Sequence, residues 1–443
     1  MKTLISVRRT LGSLWTRSQS PQDAPADLTE PTFREVGSQP PNLLLFNDCS
    51  DQVNYGAEAL VAGLIRIFET AMPGHTLRLV PSHWVMDPEE GWQQYFHPGR
   101  PLVQPQALWP EVADQFECVA DEWLAGRGGS GVNAYLKALT GVDVVILNGE
   151  GSLYRTNFSA VRELFVAWFA KTRLGIPTIF MNGLVHLTDV VPILPAMARK
   201  TFGVLDAVAV RDPWSLRNAR EFMPGIPVTL IADSALALST ALDKPGPGVE
   251  ALFRQLGNTD FFCFDPGPMP IDYRFGNRSS MYRLILEIKQ VVPQAVIVAN
   301  NPVGWPMLKQ LAADTGSVYL EYQPKYQDLM SVLARAKFQI SGRLHNTILG
   351  ALVGCPVISI GSTSHKVHGV CELLGFDLPY DGTDLWSSIE QIKADAVRHV
   401  SGGPMLRSAI QQNAARVGVG SLELGTLVKD VLTRHGKLRV ARA

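Results

Sequence analysis

The chain has 443 residues, 46% of them hydrophobic, which excludes disorder over its bulk and suits one large or two medium domains. A formal net charge of −1 gives no electrostatic case for a nucleic-acid partner. The five cysteines (Cys49, Cys118, Cys263, Cys355 and Cys371) are scattered, with no CxxC pair, which argues against a disulfide framework or a zinc site and for a reducing cytoplasm.

Residues 1–41 read as a disordered or flexible segment. The first twenty are basic and mildly amphipathic, suited to peripheral contact with the anionic inner membrane surface, and they lack the apolar core of a secretory signal. No apolar run is long enough to span a bilayer.

Order is predicted from Asn42. NLLLFND is a strand, followed by a loop through Asn54 and Gly56 and a helix from about Ala57. Residues 82–127 form an aromatic-rich insertion (Trp84, Trp92, Tyr95, Phe96, Trp109, Trp123) read as core rather than as sugar platforms. VDVVILN is a buried strand running into Gly149-Glu150-Gly151-Ser152. Glycines there let a ligand approach the backbone, and a plain strand-to-helix turn explains them equally well. Val161 to Thr172 is a helix, and IPTIFMNGLV a strand ending near Asn182. DAVAV is a strand ending in Arg211-Asp212, with Pro213 in the first turn of the next helix. IPVTLIADSAL is a further strand with Asp233-Ser234 at its end. Residues 241–257, with DKPGPG, read as a linker between an N-terminal domain over 42–240 and a C-terminal domain over 258–443. The second domain repeats the strand-helix pattern and closes with helices. Such alternation, with polar residues at strand C-termini, predicts two α/β, Rossmann-like, doubly wound parallel-sheet domains facing a cleft.

The most informative stretch is FQISGRLHNTILGALVGCPVISIGSTSHK, residues 338–366. It reads as strand, Arg-Leu-His, helix from Asn346, strand. On extended backbone Arg343 and His345 would point to the same side, at a helix N-terminus that favours anions. An anionic ligand and a group that moves a proton follow from that pairing. The plainer alternative is a hydrogen-bonded histidine and an arginine paired with a local carboxylate.

Taken together, Asn54-Tyr55-Gly56, Asn148 to Ser152, Arg211-Asp212-Pro213-Trp214-Ser215, Asp233-Ser234-Ala235, Arg343-Leu344-His345 and Lys366 resemble, in order and spacing, the polysaccharide pyruvyl transferase family over roughly residues 42–375. The resemblance implies a GT-B-like fold. It implies an enzyme that transfers pyruvate from phosphoenolpyruvate, as a cyclic ketal, to a sugar or lipid-linked oligosaccharide in exopolysaccharide or cell-surface glycan biosynthesis. His345 would be the catalytic histidine. Arg343, Arg211 and Lys366 would hold the donor, with Asn54, Gly149, Glu150, Gly151, Asn182, Asp233 and Ser234 lining the site. Neither a metal nor a cofactor is implied beyond the donor itself. Two departures stand out: the family usually carries Gly-Asp where this chain has Gly56-Ala57, and a triple glycine where the middle residue here is Glu150. A GT-B nucleotide-sugar glycosyltransferase and a non-catalytic carbohydrate-binding relative are the competing readings, and the oligomeric state is not legible.

Overall fold

A computed structural model describes residues 40–81, 107–154, 158–189, 192–268, 278–300 and 305–438. The N-terminal segment up to residue 39, and with it the membrane contact read there, lies outside the described residues. So do Trp84, Trp92, Tyr95 and Phe96 of the insertion.

The first sheet has six parallel strands in the order β2-β1-β3-β4-β5-β6: β1 Asn42–Asp48, β2 Thr76–Pro81, β3 Val144–Asn148, β4 Thr178–Gly183, β5 Ala207–Val210 and β6 Thr229–Leu230. The second has five, in the order β11-β10-β7-β8-β9: β7 Phe261–Asp265, β8 Gln294–Val298, β9 Val318–Leu320, β10 Gln339–Ser341 and β11 Val357–Ser359. Both faces of each sheet are covered, which is why the strands read as continuous apolar runs. In β1, Leu43 and Leu45 join one core and Leu44 and Phe46 the other, the period-two alternation of a pleated strand.

The helices of the first half are α1 Tyr55–Ala71, α2 Phe116–Leu124, α3 Ser130–Leu139, α4 Phe158–Thr172, α5 Ile193–Phe202 and α6 Pro213–Phe222. Those of the second half are α7 Pro247–Leu256, α8 Arg278–Ile288, α9 Trp305–Asp314, α10 Tyr326–Arg335, α11 Leu344–Leu352, α12 Lys366–Leu374, α13 Leu385–Ser421 and α14 Glu423–Arg434. None of the described helices is long and apolar enough to cross a membrane. Trp109 and Trp123 pack edge-on, 5.2 Å apart, in the core beside Phe165, as the aromatic insertion suggested.

Two stretches differ from the sequence reading. Residues 247–256, inside the expected linker, form helix α7, started by Pro247 and buried through Val249, Leu252 and Leu256 on the second sheet's core. The last closing helix also does not stay with the second domain: α13 packs on the second sheet through Leu385, Ile389, Ile392 and Ala396, but α14 does not. Helix α13 breaks at Gly403 (φ 51°) before Pro404, and α14 places Leu424, Val428, Val431 and Leu432 in the core with α1 and β1 of the first sheet. Apolar periodicity reports that a helix has a buried face, not which domain buries it.

Candidate active site

The site forms where the C-terminal ends of the two sheets meet. Helix α1 belongs to the first sheet, yet its opening turn touches the second domain. Tyr55 N–H donates to Asn300 Oδ1 (3.3 Å), the Tyr55 hydroxyl accepts from Gln323 N–H (2.8 Å), and a Glu58 carboxylate oxygen accepts from Tyr326 N–H (2.8 Å). Burial first, with Asp328 adding to it, pushes the Glu58 carboxyl up to about 7.

Asp233 is the centre of a charged cluster. Its Oδ2 lies 3.2 Å from Arg211 Nη1 and 3.5 Å from His345 Nε2, and its Oδ1 accepts from Ala235 N–H (2.9 Å). Arg211 and Asp233 are each 2% exposed and His345 is 9%. Burial alone would raise the Asp233 carboxyl. The electrostatic influence of His345, then the Arg211 guanidinium and the Ala235 N–H, outweigh that and hold it below the usual carboxylate range. The His345 Nε2 contact is electrostatic, since that nitrogen makes no well-formed hydrogen bond, and Arg211 Nε is likewise buried without an acceptor among the described residues.

Arg343 and His345 do not share a side. Helix α11 begins at Leu344, two residues before the expected start, so only Arg343 is extended (φ −116°, ψ 126°), as its N-cap. Arg343 turns to Asp265 of its own domain (Nε to Oδ1 3.5 Å), while His345 in the first helical turn points at Asp233 of the other. Asp265 also accepts from Asn346 Nδ2 (3.1 Å), whose Oδ1 accepts from Asn300 Nδ2 (3.1 Å), so the Arg343 side is tied back to α1. Asn346, expected to open the helix, lies inside its first turn, and its side chain belongs to this network. Asp265 was missed by the sequence reading, although it stands at a strand C-terminus.

Several expected contact residues prove structural. Asn54 caps α1, its Oδ1 accepting from Gly56 N–H (2.9 Å). Asn182 and Ser234 satisfy one another: Asn182 Nδ2 donates to Ser234 Oγ (2.9 Å) and Ser234 N–H to Asn182 Oδ1 (3.0 Å). Ser234 Oγ donates onward to the Leu60 carbonyl (2.7 Å), and both side chains are fully buried. Gly149 is pressed against Phe180 and Gly183, where a side chain has no room, whereas Gly151 faces open space. Glu150 takes a left-handed φ of 31°, and its carboxylate folds onto Gly151 N–H. Below it Glu163, also missed, is buried. Burial first, and the Glu150 charge second, push its carboxyl well up, while Ser152 Oγ donates to it (3.0 Å). Ala57 is buried in the core and offers no polar group to the site. Lys366 opens helix α12, with its ammonium 6.0 Å from the Tyr154 ring of the opposite domain.

Residues 54–365 match the family model described as polysaccharide pyruvyl transferase. The chain belongs to the polysaccharide pyruvyl transferase family. No curated protein matches it. Among solved structures it is similar to a UDP-GlcNAc 2-epimerase from Neisseria meningitidis bound to UDP-GlcNAc, at 13% identity and TM-score 0.53, covering 88% of this chain and 99% of that one. It is also similar to UGT89C1 of Arabidopsis thaliana complexed with quercetin (9% identity, TM-score 0.52, 90% and 100% covered). A third is the UDP-GlcNAc 2-epimerase of Methanocaldococcus jannaschii (11% identity, TM-score 0.50, 85% and 97% covered). At such identities the likeness is one of fold, and that fold is GT-B-like, two parallel-sheet α/β domains about a cleft.

Proposed function

We propose that this member of the family transfers the pyruvyl skeleton of phosphoenolpyruvate onto two hydroxyls of one sugar. The product is a cyclic ketal, phosphate is released, and the acceptor is a sugar or lipid-linked oligosaccharide of an exopolysaccharide or cell-surface glycan. The observation that carries the reading is the buried Arg211–Asp233–His345 cluster, which joins the two domains at the ends of their sheets.

The chemistry follows from these groups. One hydroxyl adds to C2 of the donor as its methylene carbon takes a proton. A second hydroxyl then displaces phosphate from C2. One hydroxyl proton ends in the new methyl group and the other on phosphate. His345 is the proton donor to the methylene carbon, with its imidazole held by Asp233. The guanidinium of Arg343 gives a planar fork for the donor carboxylate. Arg211 Nε–H, buried and without an acceptor among the described residues, is a donor that an anionic oxygen of the substrate would satisfy. Lys366 and the N-terminus of α12 suit the phosphate. The protein would act in the cytoplasm, in keeping with its five free thiols, with the basic N-terminus as a contact to the membrane that carries a lipid-linked acceptor.

The test is release of phosphate from phosphoenolpyruvate with octyl glucoside, octyl galactoside, octyl mannoside and UDP-N-acetylglucosamine as acceptor probes. Release with any of them, accompanied by a ketal on the sugar, is expected. A melting-temperature rise with UDP but none with phosphoenolpyruvate, and no release with any probe, would overturn the reading in favour of a nucleotide-sugar enzyme.

A further inference from the structure

A second group of polar side chains meets across the cleft beside the Asp233 cluster. His186 follows β4 in the first domain, and His365 precedes α12 in the second. Their Nδ1 atoms are 2.8 Å apart, so one donates and the other accepts. His365 Nε2 lies 3.2 Å from Ser215 Oγ, which lies 2.8 Å from Asp212 Oδ2 and also accepts from Val185 N–H (3.2 Å). One proton arrangement satisfies all these contacts. Ser215 O–H donates to the Asp212 carboxylate, His365 Nε2–H donates to Ser215, and His186 Nδ1–H donates to His365 Nδ1. That leaves a lone pair on His186 Nε2, which no described residue bonds, at the half-buried end of the chain. The approach that builds this chain depends on Gly369 of α12, where a Cβ would stand 2.7 Å from that of Asp212.

The same place suits an anion. His365 is the N-cap of the nine-residue α12 and makes no side-chain cap bond to it. Ser364, one residue earlier, is 7% exposed, and its buried hydroxyl has no partner among the described residues; the Ser362 hydroxyl is in the same state. Lys366 follows directly.

We propose that His186 carries the proton of the second attacking hydroxyl to the departing phosphate, and that His365 is the positioning residue that holds it for this task. The proposal rests on the pyruvyl-transfer reading above. In the step, an oxygen lone pair of the second hydroxyl forms the new bond to C2. The C2–O bond to phosphate breaks, and its electron pair goes to the phosphate oxygen. His186 Nε2 takes the hydroxyl proton and gives it to that oxygen, so the imidazole returns to its starting form and phosphate leaves as the monohydrogen dianion. Nothing is oxidised or reduced. The groups facing the pair favour its neutral, proton-accepting form. Burial lowers the proton affinity of His186. Burial first, then His186, Arg211, His368 and Arg217, lower that of His365 to about 3, against the nearby Asp212 carboxylate.

The experiment separates the two halves of the reaction. The first addition and its reversal exchange the donor's methylene hydrogens with deuterated water; only the second half releases phosphate. Both are measured with the octyl glycoside or UDP-sugar that gives the fastest release. His186→Gln should keep exchange within a few-fold of the parent and lower phosphate release by about a hundredfold or more, the scale of a lost acid–base group. His365→Gln should shift the same ratio in the same direction, and less. His186→Asn serves as a second variant should the Gln side chain disturb folding. Release within a few-fold of the parent, or exchange and release falling together in a variant with unchanged melting temperature, would overturn the proposal. A parent protein that neither exchanges nor releases with any probe would instead bring down the pyruvyl-transfer reading, and this proposal with it.

Discussion

Gly56 and His345 occupy a space that admits no further atom: a Cβ at position 56 would lie 2.8 Å from the Cβ of His345 and closer still to its imidazole nitrogen Nδ1. The glycine of the first helix therefore sets where the histidine of the other domain can stand. It does so as part of a helix start that Asn54 caps and Asn300 binds from across the cleft.

Gly56→Ala should accordingly push the imidazole off Asp233. Turnover should fall by about tenfold or more, with an overpacking cost of about 1–3 kcal/mol. Phosphate release beside thermal unfolding checks this. Parent-like turnover would show that His345 has room to move.

His345 and Arg343 should fail differently, because one group can give up a proton and the other only holds charge. His345→Gln should lower turnover by about a hundredfold with donor binding largely kept. Arg343→Ala should weaken donor binding by about 2 kcal/mol, the scale of a charge-assisted pair. Titration calorimetry with phosphoenolpyruvate and steady-state rates separate the two effects. Near-normal turnover in the Gln variant would make His345 a positioning group, with Glu150 the next carboxylate to test as proton donor.

Asp233→Asn should destabilise the protein by about 3–5 kcal/mol, because it leaves the buried Arg211 guanidinium without its counter-charge. In the parent the Asp233 carboxyl lies below its ordinary value of 3.8, so the folded state binds its proton less readily than the unfolded chain. Its stabilising contribution is therefore present above that ordinary value and is lost as pH falls through the folded value. Denaturant unfolding from pH 7 down to pH 3 should show the parent losing stability faster than Asp233→Asn.

Glu58 gives the opposite sign. Its carboxyl is raised from 4.5 to about 7 in the folded protein, so between those values the folded state keeps a proton that the unfolded chain has lost. Stability from this group therefore falls as pH rises from about 4.5 to 7, by at most about 3 kcal/mol. Glu58→Gln keeps an acceptor for Tyr326 N–H and should flatten that slope. An unchanged slope in urea unfolding would mean that another group carries it.

The alternation of buried strands and helices is a local, periodic property, and by itself it determined the two parallel sheets and the polar residues at their C-terminal ends. The Arg-Leu-His and Arg-Asp segments also stood out in the sequence, because charged groups beside continuous apolar runs are conspicuous. What those groups touch was decided by tertiary structure. A helix start moved by two residues turned Arg343 toward Asp265 and His345 toward Asp233, and strand spacing holds no record of that rotation. Asn182 and Ser234 stand at strand and turn ends like ligand contacts, but they bond each other, and the Ser234 hydroxyl donates to the Leu60 carbonyl. The meeting of His186 with His365 joins residues from separate domains. Such contacts depend on how two rigid sheets dock, which is set by the close fit of α1 and α12 and by the return of α14 to the first domain, not by any local pattern in the chain.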